Sequence, residues 1–237
     1  MFAPLLRTNA IGLHSFIHIG GNYVITSLSP FRVLAVTALV SFSGASQAAL
    51  TVYTSQANFL AAVNAPGTDS YTGFSLTGST PSPITRSAGS YQYTATAETS
   101  SFFGAGTTAN PWLSTNTAAD TITFNAFTGG ANAIGGNFFG SDINGIFSSG
   151  NITLVATDSL GATSSQTIVG ATTTSFLGFV SSGTIASLVV QSVQGASPLW
   201  PTVDNLTLAV AVPEPGTHAM LLAGLGVVGL MARRRRS

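Results

Sequence analysis

Only seven side chains between residues 49 and 211 carry a formal charge: Asp69, Glu98, Asp120, Asp142, Asp158, Asp204 and Arg86. The same stretch has no His, Cys or Lys; His14 and His18 lie near the start of the chain and His218 near its end. That composition excludes Ser-His-Asp and Cys-His catalysis there, along with lysine Schiff bases and His-ligated zinc or copper. An enzyme would have to use a carboxylate pair, as glycoside hydrolases do. Nothing in the spacing of the acids nominates such a pair, so no catalytic residue is assigned and a non-catalytic protein is expected.

Two other constellations could bind. Asp142-Ile143-Asn144-Gly145 and Asp204-Asn205 offer hard oxygen ligands, which makes Asp142, Asn144 and Asp204 candidates for calcium. The first is only a fragment of a calcium loop, and turn residues bonding their own backbone are the competing reading. Trp112, in Asn110-Pro111-Trp112-Leu113, and Trp200, in Pro198-Leu199-Trp200-Pro201, sit beside prolines in expected loops. Each could stack a ring face on a sugar, or plug one end of a sandwich. One cation against six acids gives this region a net charge of 1 − 6 = −5. Such a surface cannot neutralise phosphates, so nucleic acid is not an expected partner.

The elements that hold these residues have a mostly two-residue period. Thr121–Ala126 and Asn151–Thr157 alternate polar and apolar side chains, as half-buried strands do. Asp158-Ser159-Leu160-Gly161 supplies a turn and Ser165–Val169 returns, which reads as a hairpin. Further strands are expected at Tyr91–Thr96, Ala133–Phe139, Ser175–Val180, Thr184–Val193 and Val203–Val210. A short helix is expected at Gln56–Val63, capped by Thr54 or Ser55, with Phe59, Leu60 and Val63 on one face. Thr77–Ser90 and Gly104–Ala119 read as loops. The expected fold is an all-β antiparallel sandwich of jelly-roll type over residues 49–211. It contains no cysteine and must hold without disulfides.

Both ends of the 237-residue chain read as addresses. Pro30-Phe31-Arg32, the apolar run Val33–Phe42 and Ser43–Ala48 form a signal peptide, with cleavage expected between Ala48 and Ala49. Residues 1–29 make the leader long; a start codon placed too far upstream explains this, and a genuinely long leader is the alternative. At the other end, Pro213-Glu214-Pro215 precedes an apolar stretch, Gly216–Ala232, and then Arg233, Arg234, Arg235 and Arg236. That stretch would form one short transmembrane helix, reaching about 25 Å at about 1.5 Å per residue. The arginines would stay on the cytoplasmic side, leaving the domain outside. Gly224-Leu225-Gly226-Val227-Val228-Gly229 matches a dinucleotide fingerprint, but no strand precedes it, and close helix packing is the better reading.

The order of motif, apolar helix and arginine cluster over residues 212–237 resembles the PEP-CTERM sorting signal of Gram-negative bacteria, with Pro213, Glu214 and Pro215 as its motif residues. The resemblance implies that an exosortase, a membrane-embedded peptidase, recognises the tag, cuts near it and passes the protein to the cell surface. It also implies bacteria that make exopolysaccharide or biofilm matrix. A looser resemblance over about residues 120–210, carried by Phe176-Leu177-Gly178-Phe179 and Asp204-Asn205, is to ectodomains found ahead of such tags. The expected function is therefore an exported, non-catalytic surface or matrix protein. Its expected partners are the export machinery, the membrane, an exosortase and an exopolysaccharide. A carbohydrate-binding module is the alternative, and a glycan-active enzyme is third.

Overall fold

In the computed structural model, residues 50–99, 101–212 and 215–234 are described. The leader with its Ala48–Ala49 junction, the motif residues Pro213 and Glu214, and Arg235 and Arg236 lie outside the described residues. The domain is built from two antiparallel sheets. The larger contains β1 (Leu50–Tyr53), β2 (Val63–Asp69), β3 (Ser79–Pro81), β6 (Ser101–Thr107), β7 (Asn110–Thr115), β9 (Ala133–Ser141), β10 (Phe147–Ser148), β13 (Phe176–Ser181) and β15 (Trp200–Ala211). Its order is β1-β13-β9-β15-β7-β6-β3, with β10 added to β9 and β2 to β15. The smaller sheet contains β4 (Ile84–Ala88), β5 (Tyr91–Ala97), β8 (Ile122–Asn125), β11 (Gly150–Asp158), β12 (Thr163–Ala171) and β14 (Ile185–Ser192), in the order β12-β11-β14-β8-β5-β4.

Each sheet contributes its inward side chains to one core, as alternation requires. Tyr93, Ala95, Phe124, Ile152, Leu154, Leu188 and Val190 come from the smaller sheet and Phe102, Leu113, Ile134, Phe138, Phe179 and Val203 from the larger. β9 departs from the alternation because all nine of its residues are buried. Its outer face is covered at one end by helix α1 (Gln56–Ala61) and at the other by Trp112 and Phe147. Phe59 of α1 lies 5.4 Å from Phe176 and 6.1 Å from Tyr53, ring centre to ring centre. It rests on Gly178, where an added Cβ would meet the Phe59 ring at 2.5 Å.

Several elements differ from the sequence reading. The expected loop Gly104–Ala119 contains most of the β6–β7 hairpin, and Thr77–Ser90 contains β3 and β4. β15 starts three residues early, at Trp200, so Asp204-Asn205 does not open the strand. It forms a bulge within it, with pairing to β9 slipping between Asp204 and Thr207 and Asn205 at φ +51°. Both tryptophans consequently sit on strands, Trp112 in β7 and Trp200 opening β15, rather than in loops. α1 stops at Ala61 because Val63 already belongs to β2, and Ser55 occupies its N-cap without a side-chain bond.

A second helix, α2, spans Pro215–Arg234. Among the described residues no helix is long and apolar enough to cross a membrane.

Candidate functional site

The ladder registers decide which candidate residues meet. On β15, Thr202 lies opposite Ser114 of β7 on one side and Phe139 of β9 on the other. Trp200 lies two residues from Thr202 in one direction, while Trp112 lies two from Ser114 in the other. The tryptophans are therefore about four residue rises apart, roughly 13 Å, and form no common platform. Trp112 is half-buried against the outer face of the larger sheet. Its ring meets Phe139 edge-on at 4.8 Å, lies over Gly106 (φ +82°), where a Cβ would come within 2.8 Å of the indole, and its N–H is buried without a partner. Trp200 instead lines a cleft of about 180 Å³ together with Phe103, Ser114, Asn116, Ser141 and Asp142.

The cleft owes its shape to the turn between β9 and β10. The Asp142 carboxylate accepts the backbone N–H of Asn144 and of Ile146, both at 2.9 Å, and Asp142 N–H donates to the Ile146 carbonyl at 2.8 Å. Gly106 N–H donates to the Gly145 carbonyl at 2.8 Å, which ties the turn to β6. The Ile146 amide, aided by Asn144, holds the Asp142 carboxyl below the usual carboxylate value. Beneath lies a buried hydroxyl chain. Thr202 donates to Ser141 Oγ at 2.8 Å, and Ser114 donates to the Pro201 carbonyl at 3.0 Å.

Asp142 and Asp204 are not brought to one ion. Asp204 lies opposite Asn137 on β9, whereas Asp142 follows Ser141, which lies opposite Trp200, so the two are roughly 13 Å or more apart along the ladder. Asp142 and Asn144 act here as turn residues. Asp204 is buried, accepts the Asn205 amide at 2.7 Å and meets Asn110 only at 3.5 Å. Burial pushes its carboxyl up, against the pull of those two partners. Among the described residues no group of three or more His, Cys, Asp or Glu side chains is placed to hold a metal ion.

The other acids are also engaged. Asp69 receives both Arg86 Nε, at 2.6 Å, and Nη2, at 2.8 Å, plus the Tyr93 hydroxyl at 2.7 Å and the Tyr71 amide at 2.8 Å. The guanidinium lies over the Tyr71 ring at 5.1 Å and over Phe74 at 5.7 Å. Burial drives both phenols up, and each is affected by the other, yet the Tyr71 hydroxyl has no hydrogen-bond partner. This cluster was not visible in the sequence, where Asp69 and Arg86 lie 17 residues apart with no motif between them. Asp158 closes the β11–β12 turn by accepting the amides of Leu160 and Ala162, and it receives the Ser181 hydroxyl at 2.6 Å. Burial opposes its ionisation, but these donors outweigh burial and its pKa is lowered. Glu98 and Asp120 come to the same end of the smaller sheet, with Thr121 donating to Glu98 and Thr99 to Asp120.

At the C-terminal side β15 pairs with β2 as far as Ala211, and Val212 N–H donates to the Ala62 carbonyl at 3.0 Å. α2 begins at Pro215, so the sheet gives way to the tail helix within a few residues. No curated protein and no solved structure matches the chain. One family model does match, the PEP-CTERM protein-sorting motif, over residues 211–236, from the last residue of β15 through α2 into the arginine run. The chain therefore carries, behind an antiparallel β-sandwich-like domain, a PEP-CTERM sorting motif, the mark of an exported protein with a C-terminal membrane-anchoring region processed by an exosortase.

Proposed function

We propose that the protein is a non-catalytic component of the cell surface or extracellular matrix, associated with exopolysaccharide once the exosortase has acted. The sorting motif, set directly behind the folded sheet, carries this reading. The composition of residues 49–211 supports the non-catalytic part, since acid–base chemistry there falls to six carboxylates, and each of them accepts from protein groups: backbone amides, hydroxyls, the Asn110 amide or Arg86. A neutral hydroxyl- and amide-rich surface suits a hydrated glycan matrix, and a domain with one arginine has little to offer polyanions.

In this reading the C-terminal region covered by the sorting motif holds the precursor at the inner membrane until processing, with Arg233–Arg236 on the cytoplasmic side. The test is fractionation of cells that make the polysaccharide and of cells that do not. The domain is expected in the matrix fraction of the first and free in the medium, or loosely attached, in the second. Equal retention in both strains would remove the polysaccharide from the account.

A further inference from the structure

The cleft beneath the β9–β10 turn combines three properties that narrow its ligand. First, two aromatic side chains, Trp200 and Phe103, border a space whose lining also includes neutral hydrogen-bonding groups, namely Asn116 and the buried hydroxyls of Ser114 and Ser141, beside Ile143 and Asp142 of the turn. Aromatic faces beside hydroxyls and amides match a pyranose ring, which is apolar on its C–H faces and polar around its rim. Second, the one ionisable group at the rim is a carboxylate held in its charged form. Asp142 directs Oδ1 at two backbone amides, while Oδ2 meets only Asn144 Nδ2, at a long 3.5 Å. A lone pair is therefore left to accept a hydroxyl proton. Arg86, the domain's only cation, is committed to Asp69, so nothing at the cleft compensates an anionic ligand.

Third, the wall is already built. The Asp142–Ile146 bonds and the Gly106–Gly145 tie hold the turn without a ligand, which keeps the ordering cost of binding low. At about 180 Å³ the space is smaller than the roughly 300–1,000 Å³ of pockets for drug-sized molecules, so it suits one ring rather than a run of them.

We propose that this cleft binds a single neutral hexopyranosyl unit at a chain end or branch of a polysaccharide. Trp200 stacks on the ring, and Asp142 Oδ2 and Asn116 hold its hydroxyls. The inference rests on the reading of the protein as polysaccharide-associated and gives that association a site. Trp112 takes no part, because its ring is spent on Phe139 and Gly106.

The test uses the full chain in detergent, in a Trp112→Phe background that leaves Trp200 the only indole. Methyl glycosides of glucose, galactose and mannose are titrated against tryptophan emission, with glucuronic acid as the anionic control. At least one methyl hexoside is expected to shift the emission saturably, with affinity at least tenfold better than glucuronic acid at pH 7. Asn116→Ala and Asp142→Asn, which leave Trp200 in place, are each expected to weaken binding about five- to tenfold with the melting temperature within a few degrees of the parent. Trp200→Ala, followed calorimetrically, is expected to abolish binding. No saturable shift with any of the three hexosides would overturn the proposal, as would affinity unchanged in both Asn116→Ala and Asp142→Asn. Matrix association that persists without hexoside binding would sink the cleft and leave the broader reading standing. Hexoside binding without matrix association would do the reverse.

Discussion

Asp204, within β15, and Asp142, in the turn after β9, have pKa values moved in opposite directions, because burial dominates at the first and the Ile146 amide at the second. Between the ordinary value of 3.8 and its raised value, folded Asp204 keeps a proton that the unfolded chain has lost, so its contribution to stability falls as pH rises through that window. Asp204→Asn removes that cost and leaves an oxygen for the Asn205 amide. Its melting temperature is expected above the parent's at pH 7 and equal to it well below pH 3.8. Asp158 behaves oppositely. Its folded pKa lies below 3.8, so its stabilisation is present above that value and disappears as pH falls through the lowered one. Asp158→Asn is expected to melt lower than the parent at pH 7, with the gap closing in acid. Arg86 raises a separate question, since removing it strands Asp69, which is only 6 % exposed. Arg86→Met is expected to cost about 3 kcal/mol, a fall of roughly 6–12 °C for a domain of this size. Asp69→Asn in the same chain should recover part of the loss, as a thermal double-mutant cycle would measure.

Among the elements, α1 and β13 show what a glycine in a strand is for. Phe59 lies where a Cβ on Gly178 would be, so Gly178→Ala is expected to cost about 1–3 kcal/mol through overpacking. Phe59→Leu in the same chain should relieve part of that cost, as denaturant unfolding of the single and double variants would show. The Phe176-Leu177-Gly178-Phe179 pattern was therefore legible, because it marks a strand with a side chain seated on its backbone. The strands of the smaller sheet were legible too, since β5, β8 and β11 bury one face and alternate accordingly. The β6–β7 hairpin was not. Gly104, Gly106 and Pro111 read as breakers, and both faces of β7 are largely covered, which erases the two-residue period. Pro198 and Pro201 hid the start of β15 in the same way. Of the candidate site, the sequence nominated Trp200 and Asp142 but not their meeting. That depends on the β9–β15 register and on a turn whose Gly145 is tied to Gly106 of β6, long-range pairings with no local signature.

At the scale of the whole molecule, the domain and the tail are joined without a spacer: the sheet is paired to Ala211, and the sorting motif is matched from that same residue. The domain supplies a hydrated, nearly cation-free surface, and the tail carries the address. The most direct measurement is the intact mass of the protein recovered from cells with and without the exosortase. With the peptidase present, the expected product lacks the segment from α2 to the arginine run and leaves the membrane fraction. Without it, the chain is expected to keep Arg233–Arg236 and remain with the membrane. An identical, uncut C-terminus in both strains would contradict the account.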